Sequence, residues 1–108
     1  MTQRVIELAQ IKLAEGKTEQ DLATASDAFQ EHFLNGQDGF LSRHLVRRAE
    51  GSYLDIVHWE SREHADAVFA QAQKSEAAGQ YFSVMDFDTQ SEDTGVEHCP
   101  ILRSFSAA

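Results

Sequence analysis

Residues 40–60 read FLSRHLVRRAEGSYLDIVHWE. Two runs rich in apolar, β-branched and aromatic side chains, Phe40 to Arg48 and Tyr53 to Glu60, flank a short polar segment that contains Gly51. Such runs are typical of β-strands, and a glycine between them provides the turn. The stretch therefore predicts a β-hairpin, which forms the second and third strands of the chain.

The residues before the hairpin predict a strand and then a helix. Val5 to Leu13 is short and rich in β-branched residues, with apolar side chains on both faces, as in a strand that is covered on both sides. Thr18 is a good helix N-cap, with Asp21 three residues later. Asn35-Gly36 marks the end of the helix. One apolar stripe at helical spacing follows the cap: Leu22, Ala25, Phe29 and Phe33.

The residues after the hairpin predict two helical segments and a last strand. Ser61 caps the first segment and Ser75 begins the second. Asp86 to Glu97 reads as an exposed loop, and Val96 to Phe105 as a strand that Pro100 restricts to a sheet edge or a bulge. The buried stripe of the first segment is predicted to consist of four residues: Ala65, Val68, Phe69 and Ala72.

The element order is β, α, β, β, α, β. This order predicts an α+β fold of the ferredoxin-like βαββαβ type, with a four-stranded antiparallel sheet and helices on one face. Residues 1–108 would form a single domain. The other sheet face would be bare in a monomer, so we expect a homodimer that buries it.

Charge and cysteine content exclude several classes of function. The formal net charge is −9, which disfavours binding to nucleic acid and to anionic membranes. Cys99 is the only cysteine, so no internal disulfide forms. Residues 5–13 contain Glu7, Gln10 and Lys12, which argue against a signal segment or a membrane span. By elimination, we expect a cytoplasmic protein.

Two of the five histidines are candidates for catalysis. His44 and His58 lie on the predicted hairpin and share a face if paired positions have even sums. Two imidazoles there could act as a general base and its partner, or bind a metal. Because no clustered ligand motif is present, we expect no metal. The alternative is that both are structural or surface histidines.

The opposite face of the hairpin carries a second candidate cluster, formed by Arg43, Tyr53, Asp55 and Trp59. These side chains could surround the mouth of an apolar pocket, where an aromatic ring stacks on a ligand. The alternative is a buried or interfacial ion pair between Arg43 and Asp55. Four helical aromatics face the sheet in this arrangement, either as plain core or as the lining of a cavity: Phe29, Phe33, Phe69 and Phe82.

Residues 39–82 resemble the antibiotic biosynthesis monooxygenase family of the dimeric α+β barrel superfamily. The resemblance is carried by residues 39–41 (GFL), by residues 59–63 (WESRE), and by Ser75-Glu76 followed by Phe82. It implies a dimeric α+β barrel. The family includes cofactor-independent oxygenases that act on quinol-like substrates, haem-degrading enzymes and members with no known activity, and the superfamily includes isomerases. Fold alone therefore does not fix function.

The sequence departs from two patterns of that family. Many members carry a histidine nine residues after the tryptophan, where this chain has Val68. The haem-degrading branch uses an asparagine, a tryptophan and a histidine at positions that fall near Ala9, Val68 and Ala78, and none matches. We therefore do not expect haem degradation.

Three hypotheses of function remain. The first is a cofactor-independent monooxygenase or isomerase that acts on a small apolar or aromatic molecule, with His44 or His58 as the base. The second is a non-catalytic binding protein for a small hydrophobic ligand, such as an aromatic metabolite or a fatty acyl chain. The third is a purely structural dimer with a filled core. None of the three requires a cofactor.

Overall fold

The computed structural model describes residues 3–86 and 95–107. The helices and strands in these ranges follow the predicted order, with the second helical region split in two and a short 3-10 turn after the first helix. Among the described helices, none is long and apolar enough to cross a membrane. The elements are β1 (Val5–Ile11), α1 (Glu19–His32), the 3-10 turn (Leu34–Gly36), β2 (Phe40–Arg47), β3 (Tyr53–Trp59), α2 (Arg62–Ala72), α3 (Glu76–Ser83) and β4 (Val96–Pro100).

The four strands form one antiparallel sheet in the order β2-β3-β1-β4. This is the expected α+β, ferredoxin-like arrangement, and the fold prediction is confirmed. β4 lies at an edge of the sheet, as Pro100 predicted, because proline has no N–H to donate to a second neighbour.

The two faces of the sheet differ in burial. On β3, Tyr53, Asp55, Val57 and Trp59 are buried on the side of the helices, and the residues between them are only half-buried. Paired positions of β2 and β3 have even sums over most of the hairpin, with Arg43 opposite Val57. The prediction that His44 and His58 share a face assumed even sums, and the observed register meets this condition.

The histidines of the hairpin lie on the face without helices, here called the open face. His44 pairs with Ile56, and His58 pairs with Ser42, so the two histidines are diagonal neighbours on that face. The register shifts between Phe40 and Ser42. Beyond this irregularity Phe40 is opposite Trp59, and the two rings meet edge to face with their centroids 5.7 Å apart.

Local hydrogen bonds explain where the helices begin. The Thr18 hydroxyl accepts from the Asp21 amide, and the Asp21 carboxylate accepts from the Thr18 amide, which is the predicted capping box. The Ser61 and Ser75 hydroxyls cap α2 and α3 by accepting from the amides of His64 and Ala78, without the reciprocal half of a capping box.

Gly39 brings the start of the hairpin against α2. It has a φ of +85°, and a Cβ there would lie 2.2 Å from Cγ of His64. Its carbonyl accepts a hydrogen bond of 2.8 Å from the Glu60 amide. Only glycine fits both the backbone conformation and the close approach.

Every strand ends earlier than predicted, β2 and β3 by one residue each, at Arg47 and Trp59. β1 ends at Ile11, and Leu13 makes only an isolated bridge to Met85. β4 ends at Pro100 and not at Phe105, because proline interrupts the ladder. β4 begins at Val96, as predicted for the last strand, and residues 87–94 of the predicted loop lie outside the described residues.

The predicted buried stripe of α2 is wrong at one position. Ala65, Val68 and Ala72 are buried, but Phe69 is 65% exposed. Phe69 lines the rim of a cavity between α2 and the sheet. Because α2 packs over the cavity, Phe69 at the edge of its apolar stripe lies beside the cavity and is not covered by the core.

Candidate functional site

A cavity of about 350 Å³ lies between the helices and the sheet. Its lining comes from β1, β3 and β4 below and from α1, α2 and α3 above. This volume is at the lower end of the range of small-molecule sites, which is about 300–1,000 Å³. Aromatic side chains make up much of the lining: Phe29, Phe33, Trp59, Phe69, Tyr81 and Phe82.

A buried ion pair lies beside one end of this cavity. Arg43 Nε is 3.5 Å from Asp55 Oδ1, and both side chains are almost fully buried. The Tyr81 hydroxyl donates to Asp55 Oδ2 at 2.8 Å. Arg43 also donates to the carbonyl and to the hydroxyl of Ser26 on α1. Asp55 is therefore fixed from two sides.

Two aromatic rings surround the Arg43 guanidinium. Its central carbon lies 5.4 Å from the ring centroid of Phe29 and 5.5 Å from that of Tyr81. The two rings stack on each other at 4.8 Å. Contacts of this kind favour a cation over an aromatic face and help to hold the guanidinium in the interior.

Burial controls the protonation of this cluster. Burial raises the pKa of Asp55 above its usual value, while the charge of Arg43 and the hydrogen bond from Tyr81 oppose the rise. The charge of Glu7 adds a smaller increase to the pKa of Asp55. Burial also raises the pKa of Tyr81, and the neighbouring Asp55 reinforces that shift, so the tyrosine stays neutral and donates.

Three buried polar atoms have no hydrogen-bond partner among the residues that the structure describes: Arg43 Nη1, Asp55 Oδ1 and Trp59 Nε1. Asp55 and Trp59 both line the cavity. They lie four residues apart on one face of β3, which separates their Cα atoms by about 13 Å in an extended strand. Asp55 Oδ1 still faces the Arg43 cation at 3.5 Å, whereas the indole N–H of Trp59 is a buried donor without a partner among the described residues, which is costly and favours a ligand with a polar group.

A second polar pair lies on the sheet side of the cavity. His98 Nε2 is 3.0 Å from Glu7 Oε1, and the two residues are directly opposite on β4 and β1. Their side chains are 16% and 21% exposed, and both line the cavity. Within residues 3–86 and 95–107, no group of three or more His, Cys, Asp or Glu side chains is placed to hold a metal ion.

The structure brings together only some of the predicted site residues. The ion pair of Arg43 with Asp55 is present, Asp55 and Trp59 line the cavity, and so do the four helical aromatics. Tyr53 is buried but does not line the cavity. His44 and His58 lie on the open face, and neither lines the cavity. The ligand-binding and catalytic roles of all these residues stay predictions.

Sequence reasoning missed the partners that complete these clusters. Neither Tyr81 nor Ser26 was expected from the sequence to be a hydrogen-bond partner of the Arg43–Asp55 pair. Glu7 and His98 are 91 residues apart in the chain and meet only through the β1–β4 register. The one available signal was that His98 lies on a predicted strand.

The sequence matches the family model described as antibiotic biosynthesis monooxygenase over residues 4–83. A search of curated proteins finds no significant match. Among solved structures, the chain is similar to SnoaB, a cofactor-independent oxygenase from Streptomyces nogalater, with 15% identity, 97% of each chain covered and a TM-score of 0.68.

Two other solved structures share the fold. A conserved protein from Methanosarcina mazei is 12% identical, with 90% of this chain and 91% of that chain covered and a TM-score of 0.64. A haem-degrading protein from Mycobacterium tuberculosis is 17% identical, with 95% and 99% covered and a TM-score of 0.59. At these identities the likeness shows the fold alone, whereas the family model covers most of the sequence. The chain belongs to the antibiotic biosynthesis monooxygenase family.

Proposed function

We propose that this chain binds a small hydroxylated aromatic molecule in the cavity and acts on it as a cofactor-independent oxygenase. The observation that carries the proposal is the aromatic lining of the cavity together with two polar side chains in its wall, the Asp55 carboxylate and the Trp59 indole, whose Nε1 has no hydrogen-bond partner among the described residues. Aromatic walls favour a planar apolar ligand, and a few fixed polar groups orient it. Family membership and the fold shared with SnoaB support an oxygenase over other chemistry.

The chemistry would depend on the anion of the ligand. Loss of a proton from a hydroxyl group makes an aromatic ring electron-rich enough to react directly with dioxygen, which needs no cofactor. The same deprotonation could start an isomerisation. His44 and His58, the bases predicted from sequence, could take part only from the open face, because neither lines the cavity.

The second candidate function is a binding protein without chemistry. It is favoured by Val68, which stands where many family members have a histidine, and by the placement of His44 and His58 on the open face, outside the cavity lining. The ligand would then be an aromatic metabolite or a fatty acyl chain. Binding without turnover would distinguish this function from an oxygenase.

We also propose that the protein is a homodimer that buries the open face. Apolar side chains on that face are only half-buried in the single chain, because no helix covers them. The family resemblance supports the same arrangement. The aromatic cavity lies on the other side of the sheet, so each copy would keep its own ligand site.

A binding experiment tests the proposed site directly. Trp59 is the only tryptophan of the chain, so its fluorescence reports on the cavity alone. We expect hydroxylated naphthalenes and anthracenes to quench Trp59 at micromolar concentration, and an oxygen electrode to record dioxygen consumption with those that react. Quenching without oxygen consumption across the panel would favour the binding protein.

A matched pair of variants locates the binding. Ala72 is buried on the cavity side of α2, and Ala70 is exposed on the same helix. Ala72→Phe should fill the cavity and weaken quenching at least tenfold, while Ala70→Phe should bind like the parent chain. Equal binding by both variants would contradict the site.

A further inference from the structure

We propose that His98, held by Glu7, takes the proton from a hydroxylated aromatic ligand in the cavity. The inference rests on the cavity being the ligand site proposed above. It assigns the base to a pair of residues on β1 and β4 and not to the hairpin histidines.

The contact with Glu7 determines which ring nitrogen is basic. An ionised carboxylate only accepts hydrogen bonds, so the nitrogen that faces it, His98 Nε2, carries the hydrogen. The other nitrogen, Nδ1, then keeps its lone pair. Among residues 3–86 and 95–107, the structure gives His98 Nδ1 no hydrogen-bond partner.

Glu7 and His98 lie in the wall of the cavity, where a bound ligand would contact them. Both side chains are largely buried, and both line the same cavity as Asp55 and Trp59. The other charged side chains that line this cavity are Arg62 and Asp66, which pair with each other on α2 at 2.9 Å. His98 is the only imidazole that lines the cavity among the described residues.

The proton transfer needs only the ligand hydroxyl, His98 and Glu7. The O–H bond of the ligand breaks, an N–H bond forms at Nδ1 of His98, and the electron pair stays on the ligand oxygen. Glu7 faces the positive charge that appears on the imidazole, which stabilises the product pair in a site of low polarity. Glu7 is thus a positioning residue that acts through His98.

The test uses para-nitrophenol, whose anion absorbs visible light and whose neutral form does not. Quenching of Trp59 measures whether the probe binds, and visible absorbance measures whether the bound probe is ionised. We expect the bound probe to ionise about one pH unit below the free probe, as a nearby cation would cause. In His98→Gln the probe should bind but ionise no more readily than in solution.

Two further variants separate a base from a structural pair. Glu7→Gln should give an intermediate ionisation midpoint, since His98 stays but its orienting charge is lost. His98→Ala should lose the shift and regain part of it when imidazole is added. His32→Gln, a matched change on the exposed end of α1, should behave like the parent chain.

The outcomes separate the inference from the proposed function. If para-nitrophenol binds and its midpoint is the same in His98→Gln as in the parent chain, the base is not His98, although the cavity still binds ligand. If the probe does not quench Trp59 in the parent chain, the proposed site fails and the inference fails with it. A merely structural pair would lower the melting temperature of the variants without moving the midpoint.

Discussion

At the scale of single residues, the most unusual feature is the cation buried at Arg43. Its charge faces Asp55, two aromatic rings and the oxygen atoms of Ser26. Arg43→Met should lower the free energy of unfolding by about 3 kcal/mol, because it leaves a buried carboxylate without its cation. Chemical denaturation with urea measures this loss.

The matched control for Arg43 lies on the same strand. Arg47 pairs with Glu19 in a bidentate but exposed ion pair. Exposed pairs contribute little to stability, so Arg47→Met should change the unfolding midpoint far less than Arg43→Met. Similar losses in the two variants would show that burial of the Arg43 pair has no energetic consequence.

Asp55 makes stability depend on pH in a defined direction. Its pKa is raised in the folded state, so the folded chain holds the proton at pH values where the unfolded chain has already lost it. The contribution of Asp55 to stability is therefore fully present below its unfolded pKa, and it is lost as the pH rises through its folded pKa.

The Asp55→Asn variant isolates this effect. Its amide oxygen can still accept from the Tyr81 hydroxyl, but it does not titrate. We expect the parent chain to lose stability relative to Asp55→Asn as the pH rises above about 4, the usual pKa of an aspartate, because the raised pKa makes the folded carboxyl ionise at a higher pH than the unfolded one. Urea unfolding of both chains over a series of pH values from about 4 upwards measures the difference, and a constant difference would contradict a raised pKa for Asp55.

At the scale of elements, local signals explain what could be predicted. Thr18, Ser61 and Ser75 each begin a helix as predicted, because a cap depends only on the next three residues. Side chains alternate between the two faces of a strand, so an even register was enough to predict which hairpin residues share a face. These signals lie within a few residues of the structure that they determine.

Features that depend on distant parts of the chain could not be predicted in the same way. The Glu7–His98 pair requires the register between the first and last strands, which no local pattern encodes. The exposure of Phe69 depends on a cavity beneath α2, and helical periodicity shows only which side of a helix is apolar. The candidate site was therefore only partly accessible from sequence.

The cap of α2 links stability to the cavity. The Ser61 hydroxyl is buried, accepts from the His64 amide at 3.1 Å and lies 2.7 Å from the His64 ring. Ser61→Ala should cost about 1–2 kcal/mol. Since α2 forms one wall of the cavity, the variant should also weaken quenching of Trp59 by ligand.

The cap of α1 provides the comparison. Thr18→Ala removes an equivalent hydrogen bond from a helix start that does not line the cavity, and should cost about 1 kcal/mol. Thermal unfolding gives both stabilities, and fluorescence titration gives both affinities. Loss of affinity in Thr18→Ala equal to that in Ser61→Ala would indicate general loosening of the fold and not a local effect of α2.

At the scale of the whole molecule, the open face determines the assembly that we expect. The apolar side chains there are half-buried without a covering element: Ile6, Leu8, Leu54 and Ile56. After β4, Leu102 and Phe105 are 77% and 90% exposed. Exposed apolar surface of this extent favours burial against a second copy. His44 and His58 would then lie in the interface between the two sheets.

Native mass spectrometry tests the homodimer. The expected mass is twice 12.1 kDa, the mass of one chain. Ile56→Asp places a charge in the centre of the proposed interface and should shift the population to monomer, because a buried unpaired charge is costly. Ala70→Asp, on the exposed side of α2, should leave the dimer intact. A parent chain that is monomeric at micromolar concentration would show that the open face stays in water, and the histidines on it would then be surface residues.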